Sequence, residues 1–83
     1  MNFVKSVIND WDPIDLLFHA PDDEYHSEIE KIQHLLSVAD NSDELADGIF
    51  KVFEESFGKE IFNKSKYECK KIAQILLSKK HLL

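Results

Sequence analysis

Large apolar residues recur at helical spacing in four separate stretches, and nowhere do they alternate with the period of two that a strand requires. Phe3, Val4, Val7, Ile8 and Trp11 form the first stretch. Asn2 can cap it, and Pro13 ends it, because the residue before a proline is pushed out of the α region. A helix over residues 3–11 is expected. Tyr25, Ile29, Ile32, Leu35, Leu36 and Ala39 share one face of a second helix, expected over 23–38. Asp22 serves as its N-cap, with Asp23 and Glu24 at the positive end of the dipole. Asn41 or Ser42 caps a third helix over 43–57. Its apolar face is Leu45, Ala46, Ile49, Phe50, Val52, Phe53 and Phe57, and Gly58 sits where a C′ glycine belongs. Asn63 or Ser65 starts a fourth helix over 65–80, with Cys69, Ile72, Ala73, Ile75, Leu76 and Leu77 as its buried stripe.

The expected architecture is therefore all-α: one small four-helix array over residues 1–83. An apolar connector between helices 1 and 2, with Ile14, Leu16, Leu17 and Phe18, covers one end. Two Gly and two Pro are too few for a β fold with many tight turns. A chain of 83 residues builds one modest core, with little room for a deep catalytic cleft. Gly48 lies inside the third helix, where glycine costs about 1 kcal/mol against alanine. Close approach of another helix is the expected compensation.

Charge narrows the function classes. The basic residues are ten Lys and no Arg, against 16 Asp plus Glu, for a net charge of −6. That argues against a nucleic-acid partner, which needs cationic surface for phosphates and usually Arg forks for bases. The single cysteine excludes an internal disulfide and an all-Cys metal site. No apolar run approaches the roughly 20 residues of a membrane span. The first residues lack the apolar stretch of about 7–15 residues that marks a signal peptide. A cytoplasmic location without membrane contact is expected.

The charge is unevenly divided. Residues 1–48 carry 12 acids and two Lys, whereas residues 49–83 carry four acids and eight Lys. Asp47, Lys51, Glu55 and Lys59 alternate in sign at i, i+4 and suggest a self-neutralised third helix. The second helix has Asp22, Asp23, Glu24, Glu28 and Glu30 with only Lys31 nearby. Three accounts of that excess stand. The first-turn acids serve the dipole, or Lys64, Lys66, Lys70 and Lys71 of the fourth helix neutralise them, or they form a patch for a basic partner. Glu28 falls on the flank of the apolar face. It is expected to accept from a helix N-terminus, an indole N–H or a lysine, or else to meet a partner.

Chemistry-bearing motifs are sparse. His26, Glu30 and His34 share a helix edge at a spacing that could ligate a metal. No fourth ligand is evident, and they are expected to be surface residues rather than a metal site. There is no H-E-x-x-H, P-loop, Gly-rich loop or nucleophile elbow. Cys69 lies in an apolar stripe and reads as core. No catalytic residue, cofactor or enzyme activity is expected. Tyr67 falls among Lys70, Lys71 and Gln74 and reads equally as an interface anchor or as an ordinary exposed aromatic.

The stretches Trp11-Asp12-Pro13-Ile14, Ala20-Pro21-Asp22-Asp23-Glu24-Tyr25 and Glu28-Ile29 resemble the opening of the uncharacterised YugE-like family of small bacterial helical proteins. The resemblance implies a compact all-α fold, supplies no catalytic residues, and marks Asp12, Pro13, Asp23, Glu24, Tyr25 and Glu28 as one structural unit. In size, acidity and helical make-up the chain is also similar to immunity proteins of bacterial toxin systems. Two functional expectations follow. In the first, the chain is a non-catalytic immunity protein that occludes the cationic surface of a cognate toxin, a basic nuclease. Its contact set is Asp15, Asp22, Asp23, Glu24 and Glu30, with Tyr67 as anchor. In the alternative it is a small cytosolic accessory or structural protein, with a homodimer as one form.

Overall fold

The computed structural model describes residues 3–13 and 25–82. The expected connector, and with it Asp15, Asp22, Asp23 and Glu24, lies outside the described residues. Four helices follow in order: α1 Phe3–Trp11, α2 His26–Val38, α3 Ser42–Phe57 and α4 Lys66–Leu82. The fold is all-α, as the periodicity implies. α3 packs on α4 and on α2, and α1 packs on α2 and α4, so α2 and α4 each lean on α1 and α3 rather than chiefly on each other.

Local chemistry sets most of the boundaries. Asn41 Oδ1 accepts from the Glu44 N–H at 2.8 Å, and this capping bond starts α3. Gly58 ends α3 with φ +82 and ψ 162 while its N–H donates to the Glu54 carbonyl. Ser65 Oγ accepts from the Glu68 N–H at 3.2 Å and starts α4.

α2 departs from expectation. It begins at His26, three residues later than the sequence suggests, and Tyr25 precedes it at φ −96, ψ 17 without a side-chain cap. The acid of its first turn is Glu28. Tertiary contact explains the shift. The Tyr25 ring is fully buried, and its hydroxyl donates to Asp12 Oδ1 at 2.6 Å. Holding that ring in the core outweighs the modest gain of an acidic first turn over residues 23–25.

The core is aromatic at one end and aliphatic elsewhere. Phe53 meets Trp11 edge-on at 5.6 Å, Tyr25 edge-on at 5.8 Å, and Phe62 in a stack at 5.3 Å. Ile8, Ile32, Leu45, Ile49 and Leu76 are fully buried around them. Two residues leave the stripe assigned to α4: Ile75 is 44% exposed, and Leu77 is only partly buried. Gly48 serves the close approach it suggests. A Cβ there would come within 2.7 Å of Leu35 Cδ1, so the Leu35 side chain occupies the space that position 48 leaves empty.

Candidate functional site

Two lysines in the first turns of α4 are used on α3, and Lys80 near its end donates to the Leu36 carbonyl of α2 at 2.8 Å. Lys70 Nζ lies 2.9 Å from Asp43, and Lys66 Nζ lies 3.8 Å from Asp47. Lys66 also sits 5.7 Å above the Phe50 ring, and Lys71 sits 4.7 Å above its neighbour Tyr67. The self-neutralised third helix is thereby corrected: Asp47 meets Lys66 across the helix pair, where Lys51 was expected. These bridges are exposed and each contributes at most about 1 kcal/mol. Their importance is directional, because they turn Lys66 and Lys70 towards α3.

Glu30 stands on the exposed side of α2. Its carboxylate meets His26 Nε2 at 2.9 Å, one turn back, and its side chain remains 63% exposed. It borders an open groove of about 390 Å³ between α2 and α3, lined by Glu30, Lys31, His34, Leu35 and Val52. Leu35 and Val52 make an apolar floor; Glu30, Lys31 and His34 make a polar rim. Leu35, on the groove floor, is also the side chain that fills the space over Gly48.

The remaining expected site residues divide. Tyr67 is 67% exposed on α4, among lysines, and the structure does not bring it onto the α2–α3 groove with Glu30. Asp15, Asp22, Asp23 and Glu24 lie outside the described residues. Glu28 is 7% exposed, in the first turn of α2. The indole N–H considered for it goes instead to Glu68: Trp11 Nε1 donates to Glu68 Oε2 at 3.2 Å. The sequence carried a signal for Glu68 in the Ser65-x-x-Glu68 pattern that opens α4. The groove floor had no such signal, because Val52 and Leu35 also fit a core stripe.

Cys69 is fully buried, and burial pushes its thiol up from 9.0 to about 11, with the adjacent Glu68 carboxylate adding to the effect. At neutral pH it is a neutral thiol, poor as nucleophile or metal ligand. Among the described residues no three His, Cys, Asp or Glu side chains are grouped to hold a metal ion, and no helix is long and apolar enough to cross a membrane.

A model of the family described as a domain of unknown function, DUF1871, matches residues 3–82. The chain belongs to that family. The match covers nearly the whole chain, so α1 to α4 together are the family's unit. No curated protein and no solved structure matches the chain.

Proposed function

We propose that this DUF1871 domain is a non-catalytic binding module whose acidic α2 side engages a basic protein partner, in its specific form the cationic cleft of a nuclease toxin. One observation carries the reading. Lys66 and Lys70 are held on Asp47 and Asp43 of α3, and Glu30 keeps an exposed carboxylate beside a groove floored by Leu35 and Val52. A partner Lys or Arg laid in such a groove would cover the apolar floor with its aliphatic stem and bring its charge to Glu30. The sequence also carries Asp15, Asp22, Asp23 and Glu24 ahead of α2, and net negative charge speeds encounter with a cationic surface. The resemblance to immunity proteins in size, acidity and helical make-up supports the same reading, with a cytosolic site of action.

The test is calorimetry and stopped-flow association with a purified cationic nuclease domain encoded beside the chain. The expected result is tight binding that weakens steeply with salt. Charge reversal at Asp23, Glu24 and Glu30 should slow association by at least about tenfold. Unchanged affinity and association rate in that variant would overturn the acidic-side reading.

A further inference from the structure

α4 carries five lysines, and the fold uses three of them. Lys66 and Lys70 reach Asp47 and Asp43 of α3, and Lys80 donates to the Leu36 carbonyl of α2. Lys71 and Lys79 are exposed, and among the described residues neither has an ion pair. Their own helix offers no carboxylate to them, because its one acid, Glu68, accepts from Trp11 Nε1. The chain has 16 acids for ten lysines, so a cation left without a carboxylate is against the balance of the whole molecule.

The same two lysines frame exposed apolar side chains. Tyr67, Lys71, Ile75 and Lys79 follow at i, i+4, i+8 and i+12 and are all exposed, on the side of α4 away from the buried Cys69, Ala73 and Leu76. They form one ridge of the kind that helix packing uses, about 18 Å long at 1.5 Å per residue. Lys71, Gln74, Ile75, Ser78 and Lys79 line a shallow depression of about 540 Å³ along it. The ridge is therefore apolar and cationic, with Ile75 midway between two ammonium groups whose Cα atoms stand about 12 Å apart along the axis.

We infer that this ridge docks an acidic amphipathic helix of a partner protein. The charge selects an acid: a basic segment would meet Lys71 and Lys79 unshielded. The spacing selects a helix. Carboxylates at i and i+8 with an apolar side chain at i+4 match Lys71, Lys79 and Ile75, and one further apolar residue a turn away covers Tyr67. A helix also satisfies its own backbone, whereas an extended chain would lay unpaired N–H and C=O groups over Ile75. An anionic bilayer is the poorer match. Lipid-binding clusters hold about four to eight basic residues where this ridge holds two, and the net charge of −6 repels such a surface. The ridge lies on α4 alone and shares no residue with the α2–α3 groove, so the inference does not depend on the proposed toxin contact.

The test is a nuclear magnetic resonance titration of the ¹⁵N-labelled full chain with a synthetic helical peptide bearing Leu, Glu, Leu and Glu at i, i+4, i+8 and i+12. A control peptide bears Lys in place of both Glu. The acidic peptide is expected to give saturable shifts along Lys71, Gln74, Ile75, Ser78 and Lys79 that weaken with salt, and the control to give none there. Lys71→Glu/Lys79→Glu should weaken binding by about tenfold or more, and Ile75→Ser should weaken it severalfold. Lys51→Glu/Lys59→Glu makes the same charge change at exposed lysines elsewhere and should alter binding by less than about twofold. Far-ultraviolet circular dichroism checks that each variant is folded. Absence of saturable shifts on the ridge, indifference to Ile75→Ser, or equal losses from the two charge reversals would each overturn the inference. So would co-sedimentation of the chain with phosphatidylcholine–phosphatidylglycerol vesicles that Lys71→Glu/Lys79→Glu abolishes, which assigns the ridge to lipid. Shifts at the ridge on concentrating the chain without peptide would overturn it too, by assigning the ridge to a second copy. None of these readouts uses the nuclease, so failure here leaves the calorimetric test of the α2 side intact.

Discussion

Tyr25 Oη donates a 2.6 Å hydrogen bond to Asp12 Oδ1, and that bond ties the end of α1 to the start of α2. Asp12 is held at φ +42, a left-handed conformation rare for any side chain other than Asn or Asp and rarer still before a proline. The acceptor and the unusual backbone are one device. The Asp12 N–H donates to the Ile8 carbonyl at 2.8 Å and closes α1, and the side chain is then aimed at the Tyr25 hydroxyl.

This predicts a ranked series. Tyr25→Phe should lose about 1.5–3 kcal/mol, the range for a hydrogen bond to a charged group. Asp12→Asn keeps an acceptor and tolerates positive φ, so it should cost less than Asp12→Ala, which loses the acceptor and strains the backbone. The Tyr25→Phe/Asp12→Ala cycle, measured by urea denaturation, should show positive coupling. Simple additivity would mean that the two side chains do not stabilise each other.

Helix termini written into adjacent residues were legible. Asn41, Gly58 and Ser65 act over three or four residues, and all three stand where capping chemistry places them. The start of α2 was not, because a ring some dozen residues from its hydrogen-bond acceptor sets it. The cross-helix pairs Lys66–Asp47 and Lys70–Asp43 were hidden for the same reason. Asp47 has a perfectly spaced partner in Lys51, yet an exposed i, i+4 pair is worth only a few tenths of a kcal/mol and loses readily to a tertiary alternative. Of the candidate contact set, the sequence located Glu30 and Tyr67 as exposed residues but gave no means to see that different helices carry them to different surfaces.

Burial of Cys69 makes stability fall at alkaline pH. The native thiol holds its proton up to about 11, whereas the unfolded thiol releases it near 9.0. Below pH 9 both states are protonated and the contribution is whole. Between the two values the unfolded state binds fewer protons, so unfolding becomes easier by about 1.4 kcal/mol per pH unit. Cys69→Ala removes this dependence. Its deficit against the wild type at pH 7 should therefore shrink by roughly 2 kcal/mol by pH 11. Glu68→Gln removes the second cause and should lower the native thiol's titration point, read by thiolate absorbance near 240 nm. An equal deficit for Cys69→Ala at pH 7 and pH 11 would show that the native thiol titrates normally.

Gly58 combines φ +82 with ψ 162, outside the left-handed helical region that Asn tolerates. A Cβ there would touch nothing within 4 Å, so any cost of substitution is backbone strain alone. Gly58→Ala should lose about 1–3 kcal/mol, with the denaturant slope unchanged. Gly58→Asn should be no better. A full rescue by Asn would mean that the turn relaxes into the αL conformation.

Gly48 sets a helix propensity against a contact. Alanine there would gain about 1 kcal/mol of intrinsic helix stability. Its Cβ would also stand 2.7 Å from Leu35 Cδ1 and 3.3 Å from Cδ2, so Leu35 must move. Leu35 is only partly buried and borders the open α2–α3 groove, so its methyl groups have room to swing outwards. Gly48→Ala alone should therefore be near neutral, gain and displacement cancelling. In a Leu35→Ala background the obstruction is gone, and the same substitution should stabilise by about 1 kcal/mol. Thermal and urea denaturation of the four proteins in the cycle would read that coupling directly. Gly48→Ala costing the same in both backgrounds would place the obstruction in the α2 backbone rather than in the Leu35 side chain.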